Sequence, residues 1–346
     1  MMKMNKITAI CYAVSAALFY ALNIPCSKLL LDKIAPTLMA ALLYLGAGLG
    51  VGIIYLFHYK KESPDERLAR KDMPYVVGMV VLDIIAPILL MIGVKIGKSA
   101  NASLLGNFEI VATSLIALFI FKEKVSRRLW TAIGFITLAS ITLSFSGIGS
   151  FSFSVGSLFV LGATACWGFE NNCTRCISEK STYQIVTIKG FGSGTGALLV
   201  AMLSGANFPQ AIYIFPALLL GFIAYGLSIF TYIRAQKDLG AAKTSAFYAV
   251  APFIGAFLSF ILLHENLTIS YITALIMMMA GTIFVIIDTL AYHHAHEHIH
   301  TFTHIHNGLI HTHTIRHCHD HDHYFSDERH GHRHSAADLE KLLTEH

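Results

Sequence analysis

Charge is what this sequence has least of. Only 13% of its 346 residues are Asp, Glu, Lys or Arg, and it carries two tryptophans, eight prolines and six cysteines. So little charge beside 55% hydrophobic residues and a mean hydropathy of +0.59 excludes an ordinary soluble domain. The few cysteines exclude a disulfide framework: Cys11, Cys26 and Cys166 sit inside apolar runs, and Cys318 stands alone near the C-terminal end. Cys173 and Cys176 have the spacing of a metal or redox pair, yet no second such pair exists, so they read as two small thiols on one helix. No Gly-rich phosphate cradle, HExxH pair or nucleophile elbow is found, which argues against an enzyme. Basic residues flank the apolar runs rather than clustering, so nucleic acid is not an expected partner.

What is present is membrane. A helix needs about 20 apolar residues to cross the hydrocarbon core. Runs of that kind fall near 7–30, 37–58, 74–94, 99–121, 128–147, 154–177, 183–205, 211–233, 242–263 and 269–291. The first follows Lys3 and Lys6 as a secretion signal would, but it continues through Asn23, Pro25 and Lys28 without a cleavage site and reads as a retained helix.

The first half is rewritten in the second. Residues 19–33 and 166–180 align without a gap, setting Tyr20 against Trp167, Cys26 against Cys173, Lys28 against Arg175 and Asp32 against Glu179. Ser103–Glu123 likewise matches Ser245–Glu265, each ending an apolar run at a Glu. Five helices per half is an odd number, so the two halves insert with opposite orientation. With a cytoplasmic N-terminus, the inner loops hold Lys60, Lys61, Arg67, Arg70, Lys71, Lys122, Lys124, Arg127, Arg128, Lys180, Arg234, Lys237 and Lys243. The outer side holds Lys33, Lys95 and Lys98, so both termini are expected in the cytoplasm. The fold expected is an all-α integral membrane protein of ten transmembrane helices in two inverted five-helix repeats, 1–148 and 149–292. The cytoplasmic (plasma) membrane is the expected location.

With its paired halves, the Trp167-Gly168 start of the sixth helix and the Glu123 and Glu265 endings, the chain resembles the EamA-type carriers of the drug/metabolite transporter superfamily over about residues 7–291. The resemblance implies a ten-helix bundle, inverted pseudo-symmetry and a central cavity for a small solute. One departure is that Pro252, where such carriers often have proline, has Ile110 as its counterpart, with Glu109 just before it.

Ionisable groups inside a bilayer cost roughly 2.5–3.5 kcal/mol on insertion scales and usually face an interior or a watery cavity. Asp83, Glu109, Glu170, Arg175 and Lys189 all fall in predicted spans. Glu170, Asn171 and Asn172 are the candidate central site, with Asp83 or Glu109 as the coupling carboxylate and Lys189 on the same face as Gly192. The plainer alternative is structural pairing, for example Glu109 with Lys189. Lys28 and Arg175 lie near helix ends, where long cations reach the interface. Tyr20 and Trp167 are candidate substrate aromatics because the repeat matches them. Small residues at Gly46, Gly48, Gly50, Gly52, Gly192 and Gly196 point to close helix packing, with a homodimer kept as an alternative use. Pro25, Pro87 and Pro252 are expected to kink their helices.

After Tyr292 the composition changes. Sixteen of the 19 histidines fall between His293 and His334. His296, His298, His300, His304, His306, His311, His313, His317, His319, His321 and His323, with Cys318, Asp320 and Asp322, form a candidate set for Zn, Ni, Co or Cu. This tail, 293–346, is expected to be largely disordered, with at most a short amphipathic helix at 335–343. No cofactor is required. The leading function is a secondary transporter of a small polar metabolite, an exporter by the resemblance, coupled to protons or a cation, with a metal-binding regulatory tail. The alternatives are a transition-metal transporter and a membrane-anchored metal buffer or sensor.

Overall fold

The computed structural model describes residues 6–59, 62–121, 126–144, 154–239, 244, 247–290, 292–306 and 309–323. Lys60, Lys61, Lys122, Glu123, Lys124, Lys243 and the segment 335–343 lie outside the described residues. The chain forms two compact units, Met1–Asp288 and Thr289–His346.

The first unit is a helix bundle. Its helices are α1 Lys6–Ala21, α2 Asn23–Leu30, α3 Pro36–His58, α4 Met73–Ile96, α5 Ser99–Leu105, α6 Phe108–Phe121, α7 Arg127–Ser144, α8 Val155–Cys176, α9 Thr182–Leu203, α10 Ala211–Gly221, α11 Ser228–Leu239, α12 Ala251–Leu263 and α13 Ile269–Leu290. Local chemistry sets the ends. Proline opens α3, α4 and α12, where its missing N–H is harmless. Ser154 and Ser181 cap α8 and α9 by accepting from the backbone N–H of Ser157 and Gln184. His264, left-handed at φ 50°, stops α12, and Gly205 at φ 68° follows the end of α9.

Among the described residues, seven helical stretches are long and apolar enough to cross a membrane: Ile7–Leu30, Pro36–His58, Pro64–Ile96, Ser99–Ile120, Thr182–Leu203, Ala211–Gln236 and Ile269–Asp288. The other three predicted runs are helical but fall short of that measure; α12, for example, spans 13 residues. The distribution of side chains is that of a protein solvated by lipid. Leu56, Phe57, Leu203, Ile212 and Phe215 are exposed, whereas Asn23, Asp83, Glu170 and Lys189 are buried.

Three predicted runs are interrupted by a turn, with Leu22, Gly106 and Val250 still in the right-handed helical region. The first divides at Leu22, the fourth at Gly106-Asn107 and the ninth at Ala249-Val250. The last two breaks fall within one residue of each other in the Ser103/Ser245 alignment. A break at membrane depth is tolerated where the freed backbone is enclosed by protein or lines a cavity. A π-helical turn, Phe222–Leu227, joins α10 to α11 and shifts the register of the residues beyond it.

α3 runs along α9, and α4 along α8. The glycines explain how closely. A Cβ at Gly190 would lie 2.3 Å from the Gly48 nitrogen, and one at Gly194 would lie 2.8 Å from the Leu45 nitrogen. Gly192 and Gly196 face Val80 and Ile84 of α4 instead. One helix thus presents two glycine faces to two neighbours. The Glu265 carboxylate accepts from the backbone N–H of Ser99 at 2.7 Å and Ala100 at 3.0 Å, tying the end of α12 to the start of α5. Lys28 donates to the carbonyls of Val94, Lys95 and Gly97 at 2.7–2.9 Å, so it holds the end of α4 rather than only reaching for the interface.

The second unit differs from the expected disordered chain. β1 Tyr292–His306 and β2 Leu309–His323 pair antiparallel, with Tyr292 opposite His323 and His306 opposite Leu309. Alternation of histidine with other residues has the period of a strand, and Asn307-Gly308 between the runs is a dipeptide favoured in tight hairpins.

Candidate functional site

The site is built where α3, α4, α8 and α9 meet. Asp83 lies mid-way along α4 and is 0% exposed. Four residues on, Pro87 has no N–H to donate to the Asp83 carbonyl, so the helical ladder is open there. Glu170 comes from α8 and Lys189 from α9, and both are buried. The Lys189 ammonium stands 3.1 Å from Asp83 Oδ2 and 2.9 Å from Glu170 Oε1. One cation therefore bridges two carboxylates on two helices.

Each carboxylate accepts from further donors as well. Asp83 Oδ1 accepts from the Tyr44 hydroxyl at 2.8 Å and from Trp167 Nε1 at 3.2 Å. Glu170 Oε1 also accepts from the hydroxyl of Thr174, one turn along α8. Tyr44 continues into an aromatic cluster, its ring 4.9 Å from that of Tyr225, which accepts a 3.1 Å hydrogen bond from Asn23 Nδ2. The π-helical turn presents Tyr225 there, and Tyr20 stacks edge-on to it at 6.1 Å.

A cavity of about 20 Å3 adjoins the triad, lined among others by Tyr20, Ser103, Thr164, Trp167 and Pro252. That is room for one water, which needs roughly 10–15 Å3. The Ser103 hydroxyl is buried with no hydrogen-bond partner among the described residues and lines the same space. Trp167 belongs to both structures, with its ring on the cavity and its N–H on Asp83.

Of the predicted site residues, the structure brings Asp83, Glu170, Lys189 and Trp167 together and puts Tyr20 on the adjoining cavity. It does not pair Glu109 with Lys189. Glu109 accepts from Asn171 Nδ2 at 2.6 Å, forming a separate polar contact between α6 and α8. Burial favours this arrangement because Lys189 already has two anions to satisfy. Asn172 donates to the Gly168 carbonyl of its own helix, a structural role rather than a place in the triad. Cys176 is exposed and Cys173 half-buried, and both are free thiols. Among the described residues of the helix bundle, no group of three or more His, Cys, Asp or Glu could share a metal ion.

Sequence reading missed Tyr44, Asn23 and Thr174. For Asn23 a signal existed, since the register that sets Tyr20 against Trp167 also sets Asn23 against Glu170.

The model of the EamA-like transporter family matches the chain twice, over residues 7–145 and 154–287. The chain belongs to the EamA-like transporter family. Its relatives include an "Uncharacterized transporter" of Methanothermobacter thermautotrophicus, 25% identical over 292 residues, covering 78% of this chain and 83% of the relative. Another is the "Uncharacterized transporter YyaM" of Bacillus subtilis, 23% identical over 230 residues, covering 62% and 73%. A solved structure titled "Crystal structure of protein" shares the fold with a TM-score of 0.61 at 16% identity, covering 82% of this chain and 97% of that one. This EamA protein is a multi-pass membrane transporter.

Proposed function

We propose that this EamA transporter is a secondary carrier that exports a small polar metabolite across the cytoplasmic membrane by alternating access, coupled to a proton or a monovalent cation. Ten crossings in two inverted halves, with both termini in the cytoplasm, complete the proposal. The observation that carries it is the Lys189 bridge between Asp83 and Glu170. Buried ion pairs are weak devices for stability, because well-packed apolar residues of similar volume often do as well or better. A triad kept in the bundle interior therefore favours use over scaffolding.

Charge gives the triad its logic. Two carboxylates and one ammonium sum to one negative charge, which one proton or one monovalent cation neutralises. Trp167 links that charge to the cavity, so a solute displacing its ring disturbs a hydrogen bond to Asp83. In the present state only a water fits, so substrate entry requires the helices around the cavity to part.

The metal-carrier alternative gives the same carboxylates to a metal ion. They hold an ammonium instead, and a cation entering there would meet the positive charge of Lys189. The organic solute is therefore preferred, with the tail as a metal-responsive regulator. The glycine faces of α3 and α9 are used within one chain, which favours a carrier complete in a single copy. Removing residues 293–346 is expected to leave solute transport in proteoliposomes largely intact. Complete loss of flux from a folded bundle would count against this assignment.

A further inference from the structure

We infer that one face of the tail hairpin is a histidine-only site for a divalent transition metal of the Zn, Ni, Co and Cu class. The pairing of β1 with β2 places His294, His296 and His298 directly opposite His321, His319 and His317 on three successive same-face rungs. The inference rests on the reading of the tail as metal-binding and decides which residues do it.

Successive residues of a strand belong to opposite faces, and residues directly opposite in an antiparallel pair share a face. The even positions of β1 and the odd positions of β2 therefore lie on one side. That side gathers the three histidine rungs. Further along, it has a fourth rung, His304 opposite His311. Cys318 pairs with Glu297, Asp320 with Ala295 and Asp322 with His293, all on the other face. The sequence alone placed Cys318, Asp320 and Asp322 among the ligands; the register separates them from the histidine rungs.

The spacing suits the chemistry. Cβ atoms of directly opposed residues lie about 4.5–5.5 Å apart. Two neighbouring rungs thus bring four histidine positions onto one face, the number of ligands that a tetrahedral or square-planar shell of these metals takes. Three rungs in a row give two overlapping four-histidine sets that share the central His296/His319 rung. Neutral imidazoles also discriminate by type: Mg and Ca take oxygen ligands and gain little here. Bridging bonds would in turn staple the strands, and a two-stranded hairpin is marginal by itself in water.

The test uses the full-length protein in detergent, titrated separately with Zn2+ and Ni2+, with Co2+ as a spectroscopic probe. Replacing the shared rung (His296→Gln with His319→Gln) is expected to weaken the first metal bound by at least about tenfold, the lower end of what loss of a metal's supporting groups costs. Two controls are expected to leave affinity unchanged: Cys318→Ser with Asp320→Asn and Asp322→Asn on the other face, and His330→Gln with His332→Gln, which removes the same number of histidines outside the strands. Bound Co2+ is expected to show no thiolate charge-transfer band. A thiolate band, weakening by the other-face variant, or equal weakening by the His330/His332 variant would overturn the histidine face while leaving a metal-binding tail. Failure of the unaltered protein to bind any of the three metals would overturn both.

Discussion

Replacing Lys189 by methionine is expected to abolish transport and to destabilise the bundle by about 3–5 kcal/mol, the usual cost of stranding a buried charge. The size follows from burial. Asp83 is 0% exposed and Glu170 2% exposed, so neither can recruit bulk water when the ammonium is gone. Tyr44, Trp167 and Thr174 still donate to them, but neutral donors do not replace a counter-charge shared at 2.9 and 3.1 Å. Thermal unfolding in detergent micelles measures the loss. A neutral triple variant, Lys189→Met with Asp83→Asn and Glu170→Gln, separates the two roles. It is expected to recover most of the stability, since no charge is left unpaired, while remaining inactive in proteoliposomes. Such recovery is a coupling among contacting residues rather than a sum of single effects. A triple variant that transports as the unaltered protein does would reduce the triad to scaffolding.

The second large effect is expected at Gly190, which has no side chain to offer any site. A valine there is expected to prevent recovery of folded protein from the membrane. Its Cβ would fall 2.3 Å from the Gly48 nitrogen, 2.4 Å from the Gly48 Cα and 2.9 Å from the Tyr44 carbonyl oxygen. These are backbone atoms of α3 and cannot rotate away, so the helices must separate. Separation also draws Tyr44 from Asp83, linking the packing fault to the site. Gly134 is the control. Nothing lies within 4 Å of a Cβ placed there, and Gly134→Ala is expected to be neutral or to gain up to about 1 kcal/mol in helix propensity. Monodisperse yield on size exclusion in detergent reads both. Normal yield from Gly190→Val would show that α3 and α9 do not pack this closely.

Much of this site was legible in the residues alone. Asp83, Glu170 and Lys189 stood out because a charge in an apolar run is costly enough to need a reason. Their pairing was not legible. Helical periodicity tells which residues share a face of one helix, not which faces of four helices meet, so Glu109 rather than Asp83 was offered as a partner for Lys189. Tyr44 was invisible for a related cause: a tyrosine in an apolar run is unremarkable until its hydroxyl has an address. The breaks at Leu22, Gly106-Asn107 and Ala249-Val250 escaped because hydropathy averages over a window and is blind to backbone geometry. In the tail, composition marked a low-complexity segment, while the alternation of histidine within it carried the two-residue period of a strand.

The most direct test of the carrier reading is flux into proteoliposomes under an imposed pH gradient. The full-length chain and a chain ending at Tyr292 would each be offered a panel of small polar metabolites and, separately, Zn2+, Ni2+, Co2+ and Cu2+. At least one organic solute is expected to move faster than in empty vesicles with both chains, to slow when the gradient is collapsed, and to stop with Lys189→Met. Movement of a metal ion with no movement of any solute would contradict the account and assign the bundle to metal transport.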